Sequence, residues 1–252
     1  MIKIGLVAGC SHIAGSEIDG TMDSEYNRAN NFGSLLVDKL GYTPLNIAVG
    51  GSANSGISRS VLNWFNENYK PSEMEVFVCI GWTESVRLEV PATDRPGNYL
   101  NNNQHVQWYD TSANNCYRIN FGWKGSTAYE KAMIPKYHEF MANNLSMLEN
   151  WSLKEILLTQ YFLKSLNIPY VMCSTMHLYQ PNDSFTSNLL ELIDEDNFYR
   201  FRHDTNESFY WKYKNLGYEN KKALYWHHGE EPHRLYAEEL YDFVTEKENK
   251  NV

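Results

Sequence analysis

A serine, two small-residue loops and a group of histidines carry the residue types that acyl transfer requires. In chain order, the candidate residues are Ser11, Gly51, Thr83, His227 and His233. A serine hydroxyl is a weak nucleophile unless a base such as imidazole takes its proton. Backbone N–H groups and hydroxyls can stabilise the oxyanion that forms when an ester carbonyl is attacked. The set therefore predicts a hydrolytic centre with a serine nucleophile and a C-terminal histidine as base.

The elements that must bring these residues together repeat along the chain as strand, small-residue loop and helix. Apolar stretches predict buried strands at 2–8, 45–49, 75–80 and 168–174. Helical spacing predicts helices at 30–40, 57–65, 137–166 and 230–247. Such units form a parallel sheet with helices on both faces, and ligands bind outside the carboxyl ends of its strands. We therefore expect Ser11, Gly51 and Thr83 to converge on one edge of the sheet.

Two segments do not follow this pattern. Residues 91–129 are rich in Asn, Gly and Tyr without sustained periodicity, and a loop of this length inside a domain is often functional. We interpret it as a lid or substrate-binding insertion, with a passive surface excursion as the alternative. Residues 177–222 are polar and aromatic and give no assignable element. The 252 residues otherwise fit one domain, 1–252, that needs no disulfide or metal to fold.

Composition excludes several classes of partner. There are 22 Lys and Arg against 31 Asp and Glu, with no basic cluster, so binding to nucleic acid or to an anionic membrane is not expected. The N-terminal apolar stretch is too short for a signal peptide, and no run approaches the ~20 apolar residues of a membrane span. These features predict a cytoplasmic protein, and a virion-associated protein would share them. The four cysteines are widely spaced, which favours buried thiols over disulfides or a zinc site.

Short blocks around the candidate residues resemble those of the SGNH/GDSL hydrolase family, in particular its phage-encoded members. The segment around Ser11 resembles the first block, with Cys10 in place of the usual Asp. The loop that carries Gly51 resembles the second block, whose glycine gives a backbone N–H to the oxyanion hole. The third block is normally Gly-x-Asn-Asp, and here Thr83 stands where the side-chain donor should be. The resemblance implies a flavodoxin-like, three-layer α/β/α fold with about five parallel strands.

The terminal block of the family, normally Asp-x-x-His before the last helix, fits in two registers. In the first, His227 is the base and Leu224 occupies the position of the acid. In the second, Glu230 and His233 form a literal acid-x-x-His. We favour His227 because it lies in the loop before the helix. An acid is then missing, and the carboxylates considered as replacements are Glu84, Asp204 and Glu230.

The resemblance implies an esterase without cofactor or metal that acts on a small-molecule or carbohydrate ester, for example as a carbohydrate O-deacetylase. The abundance of aromatic residues, 14% of the chain, also suits contact with sugars. The incomplete blocks leave a second interpretation open, in which the scaffold has lost its chemistry and serves as a binding or structural module. A metal site at the histidines lacks the His-Glu-x-x-His spacing, and the glycines at 50–56 lack a nucleotide-binding motif. The sequence predicts no oligomeric state.

Overall fold

The central sheet is built from strands that are apolar on both faces, as is typical of a parallel sheet covered by helices. The computed structural model of the chain describes residues 1–91, 116–119, 128–176, 184–201 and 205–250. Five parallel strands form the sheet in the order β2-β1-β3-β6-β7. They are β1 (Ile2–Gly9), β2 (Thr43–Asn46), β3 (Met74–Trp82), β6 (Tyr170–Ser174) and β7 (Phe198–Tyr199). This is the flavodoxin-like strand order, so the predicted fold class is confirmed.

The helices cover the sheet on both sides. They are α1 (Ser11–Ala14), α2 (Glu25–Asn30), α3 (Phe32–Lys39), α4 (Asn54–Asn68), α5 (Ala128–Asn143), α6 (Leu145–Ser165), α7 (Ser184–Leu190), α8 (Phe209–Asn215) and α9 (Glu230–Lys250). Helices α3 and α9 pack together on one side, and α4 packs against α6 on the other. The arrangement is therefore a three-layer α/β/α sandwich.

Alternating residues of the strands supply the two halves of the core. Leu6 and Ala8 of β1 point into the cluster that contains α4 and α6, whereas Val7 points into the cluster that contains α3 and α9. This follows from the period of two along a strand. Gly9 ends β1 at a φ of +152°, and a Cβ there would lie 2.5 Å from the Gly81 carbonyl oxygen. Glycine is therefore required where the chain turns out of the sheet toward the candidate nucleophile.

Several predicted boundaries were wrong for identifiable reasons. The predicted helix 30–40 corresponds to α3, which begins two residues later, at Phe32, because the Asn31 side chain caps it by accepting from the Ser34 N–H. The predicted strand 45–49 is β2, which ends at Asn46, whose side chain accepts from the Ala48 N–H and turns the chain. The predicted helix 137–166 is divided between α5 and α6 at Asn144. The short strand β7, two residues long, gave no recognisable pattern in the unassigned segment.

The predicted insertion falls mostly outside the described residues, which omit 92–115 and 120–127. At its base, β4 (Leu88–Pro91) pairs with β5 (Cys116–Ile119) as an antiparallel ribbon. Cys10, Cys79 and Cys173 are buried thiols, as expected. No helix in the described parts of the chain is both long and apolar enough to cross a membrane.

Candidate active site

Ser11 lies at the carboxyl edge of the sheet, at the start of a one-turn helix. It is the first residue of α1, directly beyond the end of β1, which lies between β2 and β3 in the sheet. Its side chain is mostly covered, with 6% of the residue exposed. Gly15, at a φ of +80°, ends the helix in the left-handed conformation. The turn therefore holds Ser11 at the edge where sheets of this type bind ligands.

Six residues after Ser11, Glu17 carries a buried carboxylate that the sequence did not single out. The residue is 1% exposed and has a φ of +66°, a conformation that is uncommon for a residue other than glycine. Its Oε1 accepts from the backbone N–H groups of Leu224 and Tyr225, at 2.7 and 3.1 Å. The Asn220 side chain donates to the Glu17 carbonyl at 2.8 Å. These bonds fix the loop that precedes α9 onto the turn that follows the serine.

The same carboxylate orients His227. Nδ1 of His227 lies 2.7 Å from Oε2 of Glu17, and the side chain of the histidine is 12% exposed. A carboxylate at this distance holds the Nδ1–H tautomer, which leaves Nε2 as a proton acceptor. The His227 ring also contacts the ring of His12, the neighbour of Ser11, with centroids 5.0 Å apart. The imidazole of His227 is therefore close to the turn that carries Ser11.

Opposing effects act on the charge of His227. Burial lowers the pKa of its imidazole below the ordinary value of 6.5, and the Glu17 carboxylate partly opposes this through its hydrogen bond and its charge. The nearby Arg87 guanidinium lowers the pKa further. The ring is therefore neutral at neutral pH, which is the state a general base requires.

His12 lies next to the pair of Glu17 and His227 and is itself buried. Burial is the main cause that lowers its pKa well below 6.5, and the charge of Arg87 adds to the effect. Its ring packs against Tyr210 and Phe209, and Nδ1 has no hydrogen-bond partner among the described residues. His12 is thus held as a neutral ring in the wall of the site.

The loops after β2 and β3 reach the same edge. A Cβ at Gly50 would lie 3.9 Å from Cβ of Ser11, and the following Gly51 has a φ of +77°. Thr83 is fully buried, and its backbone is fixed by Asn54. The Asn54 amide donates to the Thr83 carbonyl and accepts from its N–H, both at 3.0 Å. The three sequence-predicted residues therefore lie on adjacent loops, and Asn54 is a further residue that positions one of them.

Glu230 and His233, the residues of the second predicted register, lie away from this centre. His233 is 1% exposed within α9, its Nδ1 accepts from the Phe32 N–H at 3.2 Å, and its ring lies 4.7 Å from that of Phe209. Burial lowers its pKa well below 6.5. Glu230 begins α9 and lies beside Tyr26, whose pKa it raises. Neither residue contacts the pair of Glu17 and His227 through a hydrogen bond in the part of the chain that the structure covers.

Of the three carboxylates considered from sequence, the two that the structure describes, Glu84 and Glu230, do not provide the partner of His227. Glu84 pairs with Arg87, with 3.0 Å between Oε1 and Nε, Glu230 has the environment described above, and Asp204 lies outside the described residues. Glu17 was missed because it is six residues from the serine and belongs to no family block. Its unusual backbone conformation is invisible in sequence. No group of three or more His, Cys, Asp or Glu side chains suited to a metal occurs among the residues with described positions.

No protein-family model and no curated protein matches the sequence. Among solved structures, the psychrotrophic esterase EstA from Pseudoalteromonas sp. is similar at 14% identity and a TM-score of 0.47, covering 98% of this chain and 99% of that one. The acetyl xylan esterase Est2A from Butyrivibrio proteoclasticus is similar at 12% identity and a TM-score of 0.45, covering 98% of this chain and 64% of that one. A catalytic mutant of the acetylxylan esterase Axe2 from Geobacillus stearothermophilus has 10% identity and a TM-score of 0.40, with 96% and 94% covered. All three of these structures are named as esterases.

Proposed function

We propose that the protein is a serine esterase of the SGNH/GDSL type whose catalytic triad is Ser11, His227 and Glu17. The single observation that carries the proposal is the hydrogen bond between Nδ1 of His227 and the buried Glu17 carboxylate, at 2.7 Å, beside the helix that begins with the serine. This pair supplies the acid that the terminal block lacks. A positive φ at a buried carboxylate is a costly arrangement of the kind that concentrates at functional sites.

In the proposed reaction, Oγ of Ser11 attacks the ester carbonyl while its proton passes to Nε2 of His227. Glu17 stabilises the imidazolium that forms. The same proton then leaves with the alcohol, and water hydrolyses the acyl-serine by the reverse sequence. The backbone N–H groups of Ser11 and Gly51 and the hydroxyl of Thr83 are the proposed oxyanion donors, each worth about 3 kcal/mol in the transition state.

The test is hydrolysis of 4-nitrophenyl acetate by the purified chain. We expect Ser11→Ala and His227→Ala each to reduce kcat by about four orders of magnitude or more, since either loss removes the covalent route. Circular dichroism and unfolding curves would establish that the variants are folded. Undiminished turnover in folded Ser11→Ala would refute the proposal.

A further inference from the structure

The three proposed oxyanion donors lie on three separate loops, so their spacing depends on what connects those loops. The loops follow β1, β2 and β3 and carry Ser11, Gly51 and Thr83. Donors stabilise an oxyanion best when they are already in place before the charge develops. Two asparagine side chains, Asn46 and Asn54, cross the gaps between these loops.

Gly51 lies in a tight turn that is attached to the end of β1. The Ser52 N–H donates to the Val49 carbonyl at 3.2 Å, which closes a four-residue turn over Gly50 and Gly51. Of the two glycines, only Gly51 has a positive φ, as the third position of a type II turn requires. The bond that closes the turn does not use the Gly51 N–H. The Val49 N–H donates to the Gly9 carbonyl at 3.0 Å and thereby joins the turn to the strand that leads to the serine.

Asn46 fastens the same loop to the helix that begins with the serine. Its Nδ2 donates to the Ile13 carbonyl in α1 at 3.1 Å, and its Oδ1 accepts from the Ala48 N–H at 2.9 Å. The Arg28 guanidinium donates to the carbonyls of Asn46 and Ala48, at 3.0 and 3.3 Å. Arg28 is itself held by an ion pair with Asp23. The first residues of the loop after β2 are thus held from both sides.

Asn54 connects the loop after β2 with the loop after β3. It begins α4, and only 2% of the residue is exposed. Its amide donates to the Thr83 carbonyl and accepts from the Thr83 N–H, both at 3.0 Å. Because these bonds use the backbone N–H of Thr83, any hydrogen bond from this residue to an oxyanion has to come from its hydroxyl.

We infer that Asn46 and Asn54 are positioning residues that hold the proposed oxyanion donors of the three loops as one rigid unit. The inference rests on the proposed function, because only that function gives Ser11, Gly51 and Thr83 an oxyanion in common. An amide suits both positions because it donates at one end and accepts at the other, whereas a carboxylate only accepts.

The main test is Asn54→Ala, with kcat and KM for 4-nitrophenyl acetate measured separately. We expect kcat to fall by about 100-fold, the scale of losing one oxyanion donor, and KM to stay within about three-fold. The isosteric Asn54→Asp should lose at least as much, because a carboxylate cannot donate to the Thr83 carbonyl and adds negative charge near the oxyanion. Asn46→Ala should lower kcat by about ten-fold, a smaller displacement, since the bond from Val49 to Gly9 still holds the loop.

Gln160→Ala is the matched control, because Gln160 makes the same pair of bonds elsewhere in the molecule. It is 1% exposed, donates to the Leu192 carbonyl at 3.0 Å and accepts from the Asp194 N–H at 2.8 Å. The Asp194 carboxylate also accepts from Tyr170, the first residue of β6, so these bonds lie toward the amino ends of the strands. We expect Gln160→Ala to lower the urea midpoint about as much as Asn54→Ala and to leave kcat within about two-fold of wild type.

A double variant shows whether Asn54 acts through Thr83. Thr83→Val removes the hydroxyl while keeping the shape of the side chain, and in that background we expect Asn54→Ala to change kcat by less than about three-fold. A loss of about 100-fold in both backgrounds would overturn positioning through Thr83, as would a loss confined to KM.

The outcomes for the wild-type chain separate this inference from the proposed function. Turnover by wild type together with unchanged kcat in Asn54→Ala would overturn the inference and leave the esterase standing. A folded wild-type chain without turnover would contradict the proposed function itself, and the inference would fall with it.

Discussion

His227 and His233 lie six residues apart in the chain and occupy opposite kinds of environment. His227 lies in a loop, and its Nδ1 contacts the Glu17 carboxylate, which leaves Nε2 available. His233 lies inside α9 among the rings of Phe32 and Phe209, and its Nδ1 is used as an acceptor for a backbone N–H. Both rings are neutral because burial lowers their pKa. The two neutral rings differ in their surroundings. The His227 ring has a nitrogen that can accept a proton, whereas the His233 ring is packed in the core.

The largest expected effect that tests this contrast follows from Glu17→Gln. The amide oxygen would keep the hydrogen bonds from the Leu224 and Tyr225 N–H groups, so the amide nitrogen would face Nδ1 of His227. The ring would then carry its proton on Nε2 and could not accept one from Ser11. We expect kcat for 4-nitrophenyl acetate to fall by about 10³- to 10⁴-fold, the scale seen when a triad carboxylate becomes an amide.

Glu230→Gln is the matched control, because Glu230 is an acid three residues from His227 that has no contact with it in the described structure. We expect its kcat to stay within two-fold of wild type. Equal activity of Glu17→Gln and wild type would contradict the role of Glu17 as the orienting acid.

The pH dependence of activity is an independent test of Glu17, because the direction in which the acid limb moves can be predicted. Activity should fall as pH drops through the pKa of His227, since a protonated ring cannot act as base, and that pKa lies below 6.5. The Glu17 carboxylate raises this pKa, so its neutralisation in Glu17→Gln should move the acid limb of kcat/KM to lower pH. A shift to higher pH would contradict the assignment of the limb to His227.

A smaller effect, on stability and not on rate, is expected at His233. His233→Leu leaves the buried N–H of Phe32 without its acceptor, and we expect the free energy of unfolding to fall by about 1–3 kcal/mol. The kcat of the folded variant should stay within about three-fold of wild type, because the residue is placed outside the proposed triad. His233→Gln, whose amide oxygen can accept the same bond, should recover part of the stability. A loss of kcat comparable to that of His227→Ala would reverse the contrast drawn above.

The smallest expected effect concerns the pH dependence of stability. Burial holds the folded-state pKa of His12 and His233 well below 6.5, whereas both rings titrate near 6.5 in the unfolded chain. Their contribution is therefore complete above pH 6.5 and is lost as pH falls below it, with a slope approaching about 1.4 kcal/mol per pH unit for each ring. Urea unfolding at pH 7.5, 6.0 and 5.0 measures this slope. His233→Leu should make it shallower, and an unchanged slope would show that the pKa of His233 is the same in the folded and unfolded chain.

Most of the fold could be predicted because it depends on long local patterns. The apolar runs that became β1 and β3 and the amphipathic helix α9 are each long enough for their periodicity to identify them. The element boundaries at Asn31 and Asn46 could not be predicted, since each depends on a single side chain that hydrogen-bonds to the backbone. The two-residue strand β7 is ordered by its neighbour in the sheet and has no period of its own.

The residues of the candidate site that follow strands could be expected to share one edge, and His227 was singled out by its place before the last helix. Ser11, Gly51 and Thr83 are placed by the ends of parallel strands, which share one edge in any sheet of this topology. Glu17 is placed by a left-handed turn and by bonds to a loop about 200 residues away in the chain. No local pattern encodes such a contact. The lack of an acid in the terminal block was one of the features that favoured an inactive scaffold, and the proposed role of Glu17 would supply that acid.

The most direct test of the central claim is covalent labelling with a fluorophosphonate, which reacts with a serine only when a neighbouring base activates it. Wild-type chain would be treated at pH 7.5, digested and analysed by mass spectrometry, with Glu17→Gln and Ser11→Ala in parallel. The account predicts modification of wild type at Ser11, much slower modification of Glu17→Gln and none at that position in Ser11→Ala. Folded wild-type protein that remains unlabelled at Ser11 would contradict it.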